Sequence, residues 1–107
     1  MAKSVARFAH RSEADLAHFF DFFNVRWQYE PQSFPIAWDL DGNIVEAFTP
    51  DFYLPEFDVY VEVTTVARRF QTRKNRKLRM FRASYPHVQI RFFNRSDIAA
   101  VLSRAAR

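Results

Sequence analysis

Two acidic residues, Asp51 and Glu62, are the side chains of this sequence best placed for chemistry. They lie in the segments Thr-Pro-Asp-Phe-Tyr-Leu and Val-Glu-Val-Thr, on either side of the turn sequence Pro-Glu-Phe-Asp. A hairpin closed on that turn pairs Leu54 with Val59, and the same register sets Asp51 opposite Glu62. Two carboxylates side by side on neighbouring strands can bind one divalent metal ion through oxygen.

The same register separates the side chains of the two strands by their chemistry. Side chains alternate between the two faces of a strand, so Asp51 and Glu62 share one face with Tyr53 and Tyr60. The opposite face then carries only apolar side chains, which are Phe52, Leu54, Val59 and Val61. A shift of one residue would mix the two sets, so the pattern supports this register.

The elements that would position the acids begin with a helix and continue as a meander. We expect a helix over residues 13–23, capped by Ser12 and apolar on one face, followed by a short strand over residues 26–30. Strands over residues 34–40 and 43–54 should meet at the Asp41-Gly42 turn, which uses the only glycine in the chain. The strand over residues 43–54 is interrupted at Pro50. A further strand over residues 59–64 pairs with it and completes a three-stranded antiparallel meander.

The second half of the chain predicts a helix, a strand and a last helix. The helix covers residues 71–85 and ends at Pro86, the strand covers residues 88–93, and Ser96 caps the final helix. A strand that follows a strand and a helix usually returns parallel to the first, through a right-handed crossover. The predicted fold class is therefore α/β, with a mixed sheet and helices on both of its faces.

Length and composition indicate one domain over residues 1–107, with a core rich in its thirteen phenylalanines. The absence of cysteine excludes disulfide and thiolate-metal frameworks. No apolar run resembles a secretion signal or reaches the roughly 20 residues of a membrane span. We therefore expect an intracellular, cytoplasmic protein without a membrane partner.

Charge is divided unevenly along the chain. Residues 1–62 carry four Lys or Arg against eleven Asp or Glu, whereas residues 63–107 carry twelve against one. Such a basic segment suits a polyanion, and it is also compatible with an ordinary solvated basic helix. The three histidines have no spacing suggestive of a metal site and are interpreted as ordinary residues; they are His10, His18 and His87.

The element order and the Pro50-Asp51 … Glu62-Val63-Thr64 pairing resemble the PD-(D/E)XK, or restriction-endonuclease-like, nuclease superfamily. The likeness covers nearly the whole chain and is closest to the compact phage and transposon-type endonucleases. It is carried by four segments, which are Ser12-Glu13, Trp27-Gln28-Tyr29-Glu30-Pro31, Thr49-Pro50-Asp51-Phe52-Tyr53-Leu54 and Val61-Glu62-Val63.

This resemblance implies a metal-dependent endonuclease acting on DNA. It implies that Asp51 and Glu62 bind Mg²⁺, for which Mn²⁺ can substitute, with the Val63 carbonyl and Glu13 as further ligands. One set of acids cuts one strand at a time, so cleavage of both strands would require a homodimer or a partner protein.

One position departs from the superfamily pattern, because Thr64 stands where the motif has a catalytic lysine. At about 100° per residue, Lys74 falls in the middle of the apolar stripe of the predicted second helix and should be directed toward the sheet. We therefore predict that Lys74 replaces the motif lysine. Lys77, on one flank of the stripe, is the second choice, and Gln71 could hydrogen-bond from the other flank. The alternatives are that Lys74 extends past the sheet to water, or that the protein no longer cuts.

Arginines cover the rest of this region, and their forked guanidinium groups suit phosphate oxygens. The predicted nucleic-acid contacts are Arg68, Arg69, Arg73, Arg76, Arg79 and Arg82. Two other functions compete with a nuclease, namely a non-catalytic nucleic-acid-binding module on the same fold and a protein-interaction domain with an acidic and a basic face. The sequence does not distinguish DNA from RNA, or duplex from branched or single-stranded substrates.

Overall fold

A computed structural model describes residues 8–9, 11–64 and 71–105 of the chain. These residues form three helices and six strands. In chain order they are α1 (Arg11–Phe22), β1 (Gln28–Tyr29), β2 (Phe34–Trp38), β3 (Ile44–Phe48), β4 (Phe52–Leu54), β5 (Val59–Thr64), α2 (Gln71–Ser84), β6 (Ile90–Asn94) and α3 (Arg95–Ala105). No helix in this described part is both long and apolar enough to cross a membrane.

Four strands form a mixed sheet in the order β1-β4-β5-β6. β4 is antiparallel to both β1 and β5, whereas β6 lies parallel to β5. The predicted hairpin register is confirmed, because Leu54 pairs with Val59 and Tyr53 pairs with Tyr60. The parallel return of the strand after α2 is also confirmed.

The predicted three-stranded meander differs from the structure, because its middle strand is divided between two sheets. Among the described strands, β3 pairs with β2 alone, in a separate two-stranded sheet, whereas β4 belongs to the four-stranded sheet. Pro50 has no N–H to donate to a ladder. The next N–H, of Asp51, is bonded to a Glu62 side-chain oxygen, and the Asp51 carbonyl accepts the Glu30 N–H at 2.8 Å. These bonds draw the chain out of the β2–β3 ribbon and into the larger sheet.

Helices pack on both faces of the sheet, as the sequence predicts. On one face α1 and α3 bury a core against the apolar side of the β4–β5 hairpin, with Phe52, Leu16 and Val61 each at most 2% exposed. On the other face α2 inserts Phe81, which is fully buried, among residues of β2, β3 and β6, which are Phe34, Ile36, Phe48 and Ile90. The acids therefore lie on strands fixed from both sides.

The helix starts differ from the predicted caps. α1 begins at Arg11, which places Ser12 inside the helix. At α3 the cap is Asn94, because its side-chain oxygen accepts the Asp97 N–H at 2.8 Å while the Asp97 carboxylate accepts the Asn94 N–H at 2.9 Å. This reciprocal pair is a capping box, and it leaves Ser96 within the first turn. The predicted α2 boundaries agree with the structure to within one residue.

Candidate active site

Asp51 and Glu62 lie where β4 begins and β5 nears its end, and both are buried, at 8% and 5% exposure. The two strands hold them through reciprocal hydrogen bonds. The Val63 N–H donates to Asp51 Oδ2 at 2.7 Å, and the Asp51 N–H donates to Glu62 Oε1 at 3.1 Å. Each carboxylate thus accepts a backbone N–H from the opposite strand, which fixes both side chains next to each other.

Lys74 reaches this pair from α2. Its Nζ lies 2.8 Å from Glu62 Oε2 and donates to the Val63 carbonyl, also at 2.8 Å. The helical phase that placed Lys74 toward the sheet is therefore confirmed in geometry. Its partners explain how a cation is accommodated within an otherwise apolar stripe, because a buried charge needs a paired charge and hydrogen bonds.

Glu13 is a third buried acid at this end of the molecule, at 4% exposure. It belongs to the first turn of α1, and its Oε1 accepts the Tyr29 hydroxyl at 2.5 Å and the Ala9 N–H at 3.3 Å. Its charge is close enough to raise the pKa of Asp51. The bond to Tyr29 was not predicted, since nothing in the sequence couples positions sixteen residues apart.

The electrostatics of the pair are those of crowded, buried carboxylates. Burial raises the pKa of Asp51 to about 8; the charges of Glu62 and Glu13 act in the same direction, against the Val63 hydrogen bond and Lys74. Burial also raises the pKa of Glu62, against the opposing effect of the Lys74 ammonium. The raised pKa values mean that the two acids resist being ionised together, and a bound cation would favour their ionised forms.

A cleft of about 370 Å³ opens beside Glu62, between α2 and the end of β3. Three cationic side chains and one acid line it, together with a short stretch of β3 and the loop after it. The lining residues are Ala47, Phe48, Thr49, Glu62, Arg73, Lys74 and Lys77. Lys77 donates to the Ala47 carbonyl at 3.3 Å, so it shares the cleft with Lys74 but contacts neither acid. The excess of positive charge suits an anion bound beside the carboxylates.

The other predicted residues are distributed along α2. Arg73, Arg79 and Arg82 are exposed, and Arg82 lies over the Phe92 ring at 5.2 Å. Arg76 differs from them, because its guanidinium forms a two-pronged salt bridge with Glu46 of β3, at 2.6 and 3.2 Å. Gln71 is the first residue of α2.

Some of the residues named from the sequence lie outside the described part of the chain, and others have different partners. Arg68, Arg69 and His10 lie outside the described residues. His18 and His87 are exposed, and within the described part of the chain neither belongs to a group that could hold a metal. Thr64, at the motif-lysine position, donates its hydroxyl to the Phe93 carbonyl of β6 at 3.4 Å. The Thr64 side chain therefore contacts the neighbouring strand β6.

The donor atoms fit a hard divalent cation in chemical type. Asp51, Glu62 and the Val63 carbonyl supply only oxygen, which is the preference of Mg²⁺ and Mn²⁺. Within residues 8–9, 11–64 and 71–105, however, no three His, Cys, Asp or Glu side chains are grouped closely enough to hold an ion. The predicted set with Glu13 is therefore not assembled as a cluster, and an ion here would rely on two carboxylates, the carbonyl and water.

No family model matches the sequence, and no curated protein or solved structure matches the chain.

Proposed function

We propose that this protein is a metal-dependent endonuclease that hydrolyses DNA phosphodiester bonds on a restriction-endonuclease-like core. In this proposal Asp51 and Glu62 hold Mg²⁺, or Mn²⁺ as a substitute, and Lys74 supplies the positive charge that the motif lysine would provide. The observation that carries the proposal is the Lys74 ammonium 2.8 Å from Glu62 Oε2, beside a second buried acid and a basic cleft.

The metal would be held by the two carboxylates and the Val63 carbonyl. Such an ion, when bound, would supply Lewis-acid chemistry for phosphodiester hydrolysis near neutral pH. Glu13 lies in the same region but is tied to Tyr29, so its proposed part is to add negative charge near the acids.

The chain's own groups would bind and orient the phosphate. Lys77 and Arg73 line the cleft beside Glu62 and can hold the backbone next to the scissile phosphate. Lys74 can place its charge where negative charge develops on the phosphoryl group, which is most effective in a site shielded from water. The exposed guanidinium groups of Arg79 and Arg82 suit phosphate contacts farther along the strand.

The first test is a cleavage assay on labelled duplex, branched and single-stranded DNA and on RNA, with and without Mg²⁺ or Mn²⁺. We expect metal-dependent cleavage of at least one DNA substrate, lost in EDTA. Cleavage that persists in EDTA would contradict the metal site, and cleavage of RNA alone would contradict the assignment of DNA as substrate.

A specific observation favours a second candidate, a nucleic-acid-binding module that does not cut. Thr64 is neutral and is bonded toward β6, so it can supply no cation to the acids. This candidate leaves the buried Asp51–Glu62 pair without a task, and for that reason we place it second. The substitution Thr64→Lys separates the two: it should create activity in an inactive wild type only if the motif lysine is the missing part.

A further inference from the structure

The Lys74 ammonium binds two of the three oxygen sources proposed to hold the metal. Nζ is 2.8 Å from Glu62 Oε2 and 2.8 Å from the Val63 carbonyl oxygen. Both are hydrogen-bonding distances between a charged donor and a strong acceptor. A metal ion bound through these oxygens would lie close to the Lys74 ammonium and be repelled by it, so the ammonium and the metal ion compete for the site.

The burial of Lys74 and Glu62 favours their ion pair when no metal ion is bound. Lys74 is partly buried, with its side chain 25% exposed, and Glu62 is almost fully buried. Without Lys74, the partners of the two carboxylates among the described residues would be each other and the backbone N–H groups of Asp51 and Val63. The ammonium offsets part of this negative charge, and it satisfies the Val63 carbonyl as well.

We infer that Lys74 is a built-in competitor of the metal, which occupies the Glu62–Val63 oxygens until an ion displaces it and frees its ammonium for the phosphate. This inference rests on the proposed function and describes how the same site is regulated. Lys74 would thereby couple metal binding to the arrival of an anion. Once displaced, its charge would lie close to the bound ion, and an anionic phosphate would relieve the repulsion between them.

The inference predicts an effect opposite to that of an ordinary structural residue. Replacing Lys74 with Met keeps a long apolar stem and removes the competing cation. The affinity of the protein for Mn²⁺ without nucleic acid should then rise about 10-fold, within the 5- to 150-fold range usual for coupled ligands. A residue that only supports the fold would lower metal affinity when replaced.

Lys77→Met is the matched control, because Lys77 lines the same cleft on the same helix but donates to the Ala47 carbonyl instead of to the oxygens of Glu62 and Val63. Both substitutions remove one positive charge from the cleft. A general change in electrostatic potential would therefore raise Mn²⁺ affinity similarly in both variants, whereas competition for the ligands predicts a clearly larger rise for Lys74→Met.

The experiment is direct titration of the full chain with Mn²⁺, in which the concentration of free Mn²⁺ is measured by electron paramagnetic resonance. A 10-fold rise for Lys74→Met, with at most a 3-fold change for Lys77→Met, supports the inference. Measurable Mn²⁺ binding with equal or lower affinity in Lys74→Met overturns the inference and leaves the proposed metal site intact. No Mn²⁺ binding by any of the three proteins overturns both.

A measurement on the wild type keeps the inference testable if Lys74→Met does not fold. Displacement by metal should release the Lys74 ammonium from its two acceptors and increase its acetylation by trace acetic anhydride, relative to that of Lys77. We expect at least a 2-fold increase on saturation with Mn²⁺, read by mass spectrometry. Unchanged or reduced labelling of Lys74 in Mn²⁺-saturated protein would overturn the inference.

Discussion

Replacing Asp51 with Asn should stabilise the metal-free protein at alkaline pH, although it removes a proposed metal ligand. The substitution keeps the shape of the side chain and an oxygen that can accept the Val63 N–H, which lies 2.7 Å away. It removes one charge from a buried acidic pair. A protein whose fold depended on that charge would instead lose stability.

The magnitude follows from the pKa of Asp51, which burial and the neighbouring acids raise from 3.8 to about 8. A carboxyl group whose pKa is raised by folding stabilises the protein most below its unfolded pKa, and this contribution is lost as pH rises toward the folded value. One pKa unit corresponds to about 1.4 kcal/mol. Even half of this elevation would make Asp51→Asn more stable than wild type by about 3 kcal/mol at pH 9.

The assay is urea unfolding of wild type and Asp51→Asn in EDTA at several pH values between 4 and 9, monitored by tryptophan fluorescence. The difference in the free energy of unfolding should grow in favour of Asp51→Asn as pH rises, and Mg²⁺ should stabilise only the wild type at pH 9. Equal stabilities of the two proteins across the pH range would refute the reasoning. So would a stability of Asp51→Asn, relative to wild type, that falls between pH 4 and pH 9.

Three further predictions concern α2 and α3. Lys74→Ala should lower the cleavage rate by orders of magnitude with little loss of DNA affinity, and the cleavage rate of Lys77→Ala should lie between those of Lys74→Ala and wild type. Full turnover in Lys74→Ala together with an inactive Lys77→Ala would contradict the assigned roles. Arg79→Ala should weaken DNA binding for all sequences and reduce the slope of log affinity against log salt concentration by about one, whereas Arg76→Ala should change this slope less because Glu46 already pairs with Arg76. Equal changes of slope in the two variants, measured by fluorescence anisotropy, would argue against this difference. Asn94→Ala should reduce the free energy of unfolding by about 1 kcal/mol by removing the α3 cap, and Ser96→Ala should have almost no effect; the reverse order in urea unfolding would contradict the observed capping box.

Local patterns in the sequence predicted the parts of the site that depend on short-range geometry. The β4–β5 register followed from a four-residue turn and the alternation of Tyr53 and Tyr60 with apolar residues, because a strand of period two allows one consistent pairing. The direction of Lys74 followed from helical phase, because Leu78 and Phe81 share its stripe and pack in the core.

The parts that could not be predicted depend on contacts between distant residues. The Tyr29–Glu13 bond and the Arg76–Glu46 salt bridge join positions sixteen and thirty residues apart, for which a single sequence carries no signal. The division of the predicted meander arose because the Asp51 N–H pairs with the Glu62 side chain. The α3 cap was assigned to Ser96 instead of Asn94 because both residues favour helix starts, and the end of β6 decides between them.

The most direct test of the central claim is the single-turnover rate of Mg²⁺-dependent DNA cleavage by three isosteric variants. Asp51→Asn and Glu62→Gln each remove one charge from the buried pair, whereas Glu56→Gln removes one from the exposed turn of the same hairpin and can still accept the Arg26 N–H. We predict that the first two lose at least 1000-fold in rate, which corresponds to about 4 kcal/mol of transition-state stabilisation, and that Glu56→Gln cuts at the wild-type rate. Folded Asp51→Asn or Glu62→Gln protein that cuts as fast as wild type would contradict the assignment of this pair as the catalytic metal site.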